Sequence, residues 1–155
     1  EWNGPNAERC IKTTLARQIA NWVIIYSPLQ MAADLIENYE GHPAFRFFRD
    51  FDADCDWSKA LQGEIGDYIV VARRAKDRHF LGAGTDEKAR TLVQKLDFLE
   101  PGVTYTATIY ADAPDAGRNP EAYLIGKGAV TARDTIRIEM AERGGQAITF
   151  IPAEK

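Results

Sequence analysis

Three aspartates at alternate positions, Asp52, Asp54 and Asp56, are the first residues in this chain whose type and spacing suggest chemistry. Asp-x-Asp-x-Asp opens an EF-hand loop, where carboxylate oxygens at alternate positions converge on calcium. The rest of that loop is wrong, because its sixth position is Trp57 rather than Gly and its twelfth is Gly63 rather than Glu. An acidic linker is the better reading, and no metal ligand is assigned. His42 and His79 stand far apart, with no Cys or carboxylate at metal-site spacing around either. His42, before Pro43, reads as a turn residue, and His79 as an ordinary strand residue. Cys10 and Cys55 do not make a disulfide framework. They read as two free, partly buried thiols, and their pairing is left open.

Cleavage of a glycosidic bond needs two carboxyl groups flanking that bond, one of them an acid of raised pKa. The chain has 23 Asp and Glu, so pairs are easy to draw, with Glu37, Glu40, Glu64 and Asp67 the tempting members. None sits at a recognisable strand-end site. Solvated surface carboxylates are the simpler reading, with Glu37 at a helix end. There is no Gly-x-Ser-x-Gly elbow and no phosphate-cradling loop, and Gly82-x-Gly84 reads as a strand end or bulge. No catalytic, cofactor-binding or metal-binding residue is therefore assigned. Trp57, Tyr68, Phe80, Tyr105, Tyr110 and Tyr123 could form a platform on which sugar rings stack. Strand aromatics more commonly pack in the core or across strands. Tyr68 and Tyr105 are expected in the core, and Tyr110 and Tyr123 are left open.

The elements that must position these residues fall into two halves. Residues 1 to about 50 carry helical periodicity. Leu15, Ile19, Trp22, Val23 and Tyr26 lie on one stripe of a helix expected from Lys12 to Tyr26. Ala16, Ala20, Ile24 and Ile25 add apolar surface on other faces, and a helix apolar nearly all round is one that is buried on more than one side. Trp22 is expected to be buried. Ser27-Pro28-Leu29-Gln30 has the form of a capping box with Pro at the first helical position. It predicts a second helix from Leu29 to about Asn38, ended by Gly41 and Pro43. Ala44 to Phe51 is a third short helical segment, with Phe45, Phe48 and Phe51 facing the core.

Beyond Asp56 the period becomes two. Strands are expected over Gly66–Ala72, His79–Gly84, Thr91–Leu96, Tyr105–Tyr110, Tyr123–Thr131, Thr135–Met140 and Ala147–Ile151, with the polar stretch Arg73–Arg78 joining the first two. Turn signals between them include Pro101-Gly102, Arg133-Asp134 and Gly144-Gly145. About eight short strands without intervening helices predict a mainly β fold, an antiparallel β-sandwich, behind two or three helices.

The chain has 155 residues and a formal net charge of -4. Apart from the cluster Arg73, Arg74 and Lys76 its basic residues are scattered, which argues against a nucleic-acid partner. The longest apolar stretch, Ile19 to Tyr26, is too short to span a bilayer. The start has neither an initiator Met nor a charged-then-apolar leader and reads as cut from something longer.

The residues 14 to 39, TLARQIANWVIIYSPLQMAADLIENY, resemble the end of the barrel in glycoside hydrolase family 97, where a helix is followed by a Ser-Pro-Leu-Gln-Met-x-Ala-Asp turn. Trp57 to Gly66 (WSKALQGEIG), Asp67 to Arg74 (DYIVVARR), Phe98 to Asp112 (FLEPGVTYTATIYAD), Asn119 to Tyr123 and Gly144 to Ala147 are similar to the same family, collinearly and over about nine tenths of the chain. The resemblance implies an α-glucosidase or α-galactosidase, exported to the periplasm of a polysaccharide-degrading bacterium. It further implies an N-terminal β-sandwich, a central (β/α)8 barrel and a C-terminal β-sandwich, with the catalytic carboxylates and calcium ligands upstream of this chain.

Residues 1–50 would then be the last helices of the catalytic barrel, and 51–155 the C-terminal sandwich. The expected role is non-catalytic: packing on the barrel of the same chain and supporting a homo-oligomer, while the parent enzyme takes α-linked oligosaccharides. The alternative is a carbohydrate-binding sandwich module, and a stand-alone enzyme is weaker than both because no nucleophile, base and orienting group come together in the sequence.

Overall fold

The structure is a computed structural model that describes residues 11–32 and 35–153. Its order is α1 (Leu15–Ile24), α2 (Ile36–Tyr39), a 3-10 turn over Pro43–Phe45, α3 (Arg46–Asp50), then β1 (Trp57–Glu64), β2 (Tyr68–Ala75), β3 (Arg78–Thr85), β4 (Arg90–Lys95), β5 (Tyr105–Asp112), β6 (Tyr123–Val130), β7 (Thr135–Met140) and β8 (Gly145–Pro152). The strands make an antiparallel six-stranded sheet, β1-β2-β3-β8-β5-β6, and a two-stranded sheet, β4-β7. The expected antiparallel β-sandwich is therefore present.

The six-stranded sheet is the middle of three layers, and period-two alternation sorts its side chains to two cores. On one face Val70, Leu81, Ala83, Tyr105, Ala107, Ile148 and Phe150 meet Ile138 and Met140 of β7 with Leu96 and Leu99. On the other face Ala75, Phe80, Tyr110 and Ala147 meet Ile19, Ala20 and Val23 of α1 together with Ala44 and Phe47.

α1 starts where Thr14 caps it, its hydroxyl accepting from the Arg17 amide at 3.1 Å. The helix ends at Ile24 rather than Tyr26, and its C-terminal carbonyls explain why. Gln30 folds back so that its side-chain amide donates to the carbonyls of Ile25 at 3.2 Å, Trp22 at 3.4 Å and Ser27 at 3.4 Å. The expected capping box is thus spent on the previous helix. Ser27 makes a local turn with Leu29 instead, and the helix expected over Leu29–Asn38 shrinks to Ile36–Tyr39.

In the third segment Phe48 and Phe51 pack against the core as expected, each half-buried, while Phe45 lies against Tyr39 and Phe48 and the fully buried ring is Phe47. One further expectation is corrected. The polar stretch Arg73–Arg78 is not a loop. β2 runs on to Ala75, and a tight turn with Lys76 at φ 58° leads directly into β3.

Candidate interaction surface

The residues singled out for chemistry are occupied structurally. Asp52 ion-pairs with Lys76 at 2.9 Å and accepts from the Asp54 amide at 3.0 Å, and Asp56 accepts from the Lys76 amide at 2.8 Å. The hydrogen bond from Lys76 holds the Asp52 carboxyl below its ordinary pKa. The acidic run thus fastens the β2–β3 turn. Among the described residues no group of three or more His, Cys, Asp or Glu is arranged to hold a metal ion.

Glu37, Glu40 and Glu64 are exposed. Asp67 pairs with Nη2 of Arg90 at 2.8 Å, Asp86 pairs with its Nη1, and the cation lies 5.6 Å from the centre of the Tyr68 ring. Its bond to Arg90 holds Asp86 below the usual carboxylate range. Tyr68, expected in the core, is instead half-buried beneath that cation.

The other aromatics also face protein. Phe80, Tyr105 and Tyr110 are buried. Burial pushes the Tyr110 hydroxyl up to about 12. Tyr123 stacks on His42 at 5.5 Å, Trp57 lies 5.9 Å from His79, and Trp22 packs on Phe48 at 4.5 Å while remaining half-buried. Of the six rings proposed for a sugar platform, Phe80, Tyr105 and Tyr110 are thus buried, and Trp57, Tyr68 and Tyr123 are half-buried with a neighbour on each.

His42 caps the 3-10 turn, its Nδ1 accepting from the Ala44 amide at 3.3 Å. His79 is a buried strand residue whose pKa burial lowers. Cys55 donates from Sγ to the Asp52 carbonyl at 3.4 Å, and burial raises its pKa. Cys10 lies outside the described residues, and with it the question of pairing.

Gly82 and Gly84 were expected at a strand end or bulge, yet both lie inside β3, in unbroken register with β2 and β8. A Cβ on Gly82 would stand 2.7 Å from the Ala20 carbonyl and 2.8 Å from Val23 Cβ, and one on Gly84 would strike the Arg17 guanidinium. The glycines let α1 lie directly on the sheet. The signal for this was legible as two glycines at one period of a strand, the same face twice.

A different feature stands out as a candidate contact surface. Ile25, Tyr26, Leu29, Met31, Leu35 and Ile36 are each between 59% and 79% exposed, in one stretch of twelve positions after α1. A contiguous run of large exposed apolar side chains is uncommon on a free monomer and marks a contact surface. Its base is rigid, because Gln30 ties the stretch to α1, and Arg73 lays its guanidinium 4.9 Å from the centre of the Tyr26 ring.

Fold and surface together define a β-sandwich module that carries a helical layer on one face of its larger sheet. Residues 54–151 match the family described as glycosyl-hydrolase 97 C-terminal, oligomerisation. The chain belongs to that family, as its residues suggested. It is 32% identical over 136 residues to a retaining alpha-galactosidase of Bacteroides thetaiotaomicron, a match covering 87% of this chain and 20% of that protein. Its fold is similar to that of a glycoside hydrolase family 97 enzyme from Pseudoalteromonas sp. strain K8, solved in complex with acarbose, with a TM-score of 0.89 and 44% identity over 92% of this chain and 23% of the other. A beta-arabinopyranosidase shares the fold at a TM-score of 0.73 and 23% identity. The chain therefore spans about a fifth to a quarter of the length of these relatives.

Proposed function

We propose that this chain serves as the non-catalytic C-terminal domain of a glycoside hydrolase that cleaves α-linked glucosides or galactosides, packing on a preceding catalytic barrel and supporting a homo-oligomer. The observation that carries the reading is the run Ile25, Tyr26, Leu29, Met31, Leu35 and Ile36. These side chains sit in the helical layer, on the side of the sheet away from β4 and β7, and burying them needs a large apolar partner. The relatives supply the length of chain for one.

On this reading residues 1–50 complete the barrel and residues 51–155 are the sandwich. Calcium and the catalytic carboxylates belong to the preceding part, and the enzyme works in the periplasm, where α-linked oligosaccharides reach it.

The test is made in the full-length protein. Replacing Met31 and Ile36 with Asp is expected to lower the temperature at which hydrolysis of p-nitrophenyl α-galactoside or α-glucoside is lost, with KM at low temperature unchanged. Activity and melting identical to the unaltered enzyme would remove the barrel-packing reading. Turnover by residues 1–155 alone, at a rate near that of the full enzyme, would remove the non-catalytic one.

A further inference from the structure

Resting on the oligomerisation part of the reading above, we infer that the outer edge of β6 is the seam at which two copies of this protein join their six-stranded sheets by antiparallel main-chain pairing. A sheet edge presents a row of unpaired N–H and C=O groups, which proteins either blunt or use. The other edges here are blunted. β1 carries Ser58, Lys59 and Glu64 and is bent by a register shift between Ala60 and Gln62. The Gln62 amide also reaches across to β4, donating to the Val93 carbonyl at 3.2 Å and to Gln94 Oε1 at 2.8 Å. β4 begins with Arg90 and ends with Lys95, and β7 presents the pair Arg137–Glu139, 2.8 Å apart.

β6 has none of these devices. Its sequence, Tyr-Leu-Ile-Gly-Lys-Gly-Ala-Val, holds one charge and no proline, and it pairs with β5 without a break from Tyr123↔Asp112 to Val130↔Tyr105. Leu124 to Ala129 are exposed, Leu124 and Ile125 among the largest exposed apolar side chains of the sheet.

A second copy fits this edge for three reasons. The matched family is described by oligomerisation. A strand set antiparallel to itself about a two-fold axis is self-complementary, as a closed dimer requires. Centred on Gly126, the pairing sets Leu124 opposite Gly128 of the second copy, where a Cβ would meet nothing within 4 Å, so the leucine has room. The same register places Lys127 opposite Ile125 and keeps the two Lys127 charges from facing each other. The groups being paired lie in the plane of the sheet, whereas the run Ile25–Ile36 lies in the layer above it, so both surfaces can be used at once.

The experiment is sedimentation velocity on the full-length protein at micromolar concentration, with Gly126→Lys and, as a control on the opposite edge, Ser58→Lys. A side chain at Gly126 meets no neighbour, and the backbone there lies outside the left-handed region, so the fold tolerates it. Across the seam the new lysine faces its own copy. The unaltered protein and S58K are expected to form the same dimer, and G126K to dissociate about 100-fold more readily at an unchanged melting temperature. Hydrogen exchange gives a reading that needs no variant: amides within Tyr123–Val130 should slow on going from dilute to concentrated protein.

A monomeric unaltered protein would overturn the oligomerisation reading itself. A dimer that G126K leaves intact, or β6 amides whose exchange ignores concentration, would overturn only the edge assignment. A fall in melting temperature with assembly preserved would give the edge to the preceding part of the same chain and overturn the seam equally.

Discussion

Arg73 Nε donates to the carbonyl of Val23 at 2.5 Å, across 50 positions of sequence. Its Nη2 reaches the next carbonyl, Ile24, at 3.4 Å. The arginine is 2% exposed. It places a positive charge against the C-terminal carbonyls of α1, where the helix dipole is negative and the last C=O groups lack helical partners. This one side chain joins the helical half of the chain to the strand half.

Replacing it with a shape-mimicking apolar residue, Arg73→Met, is therefore expected to cost about 2–4 kcal/mol, since hydrogen bonds to a charged donor are lost and two buried acceptors are left behind. Arg73→Lys should recover only part of this, because a lysine cannot fork to two carbonyls. Urea unfolding of the three proteins checks it. Equal midpoints would mean that the contact contributes nothing.

Gly82→Ala separates close packing from strand propensity. In an open strand alanine would be neutral or better, but here the new Cβ would collide with Ala20 and Val23, so a loss of about 1–3 kcal/mol is expected. Gly128→Ala, which meets nothing within 4 Å, should stay within about 0.5 kcal/mol of the unaltered chain. Thermal melts of the pair decide it.

Asp112 ties the end of β5 to the turn before β8, its Oδ2 accepting from the amides of Ala141 at 2.9 Å and Gly145 at 3.0 Å. Burial pushes its carboxyl above the ordinary value, opposed by hydrogen bonds from Thr14 and those two amides and by the charge of Arg17. Asp112→Ala strands two amides and is expected to cost about 2–4 kcal/mol. Faster hydrogen exchange confined to Ala141 and Gly145 and their neighbours would locate the damage.

His79 predicts a pH dependence. Burial lowers its pKa from 6.5, helped by the charge of Arg74 and opposed by Glu100 and Asp77. Tyr105 stands edge-on to it at 5.5 Å, and Phe98 and Trp57 close the rest of its surroundings. The unfolded chain therefore takes up this proton at a higher pH than the folded one. Stability from this residue is complete above about pH 6.5 and falls as the pH drops below it, by at most about 1.4 kcal/mol per pH unit, until the folded state also protonates. His79→Phe should remove that part of the slope in unfolding measured between pH 7.5 and pH 5. An unchanged slope would acquit His79.

Tyr105–Tyr110 and Thr135–Met140 were legible from clean alternation, as in Ile136, Ile138 and Met140, Ala147–Ile151 from a less clean one, and four more strands as short runs between turn signals. β1 was not, because its bulge between Ala60 and Gln62 shifts the alternation midway and leaves Trp57–Glu64 without a period. The buried Arg73 broke the pattern of β2 in the same way, since a charged residue inside a strand looks like a loop until its carbonyl partners on another element are known. The capping box failed for a related reason. Local chemistry specified that Gln30 would bond to backbone, but not that the carbonyls of the preceding helix would outbid the next turn. Of the surfaces, the apolar excess of the first helix was visible as composition. The undefended edge of β6 was not, because which strand ends a sheet is a property of topology.

The glycines beneath α1 also order events in time. Within these residues the helix is synthesised before β1 to β8, yet the floor it rests on includes Gly145, where a Cβ would come within 2.7 Å of Arg17 Cα, so that floor is complete only once β8 has emerged. Until then Ile19, Ala20 and Val23 can settle only on the part of that floor that β2, β3 and β5 supply, Ala75, Phe80, Gly82 and Tyr110. A nascent chain of this kind must hold its most apolar helix on an incomplete floor until β8 emerges.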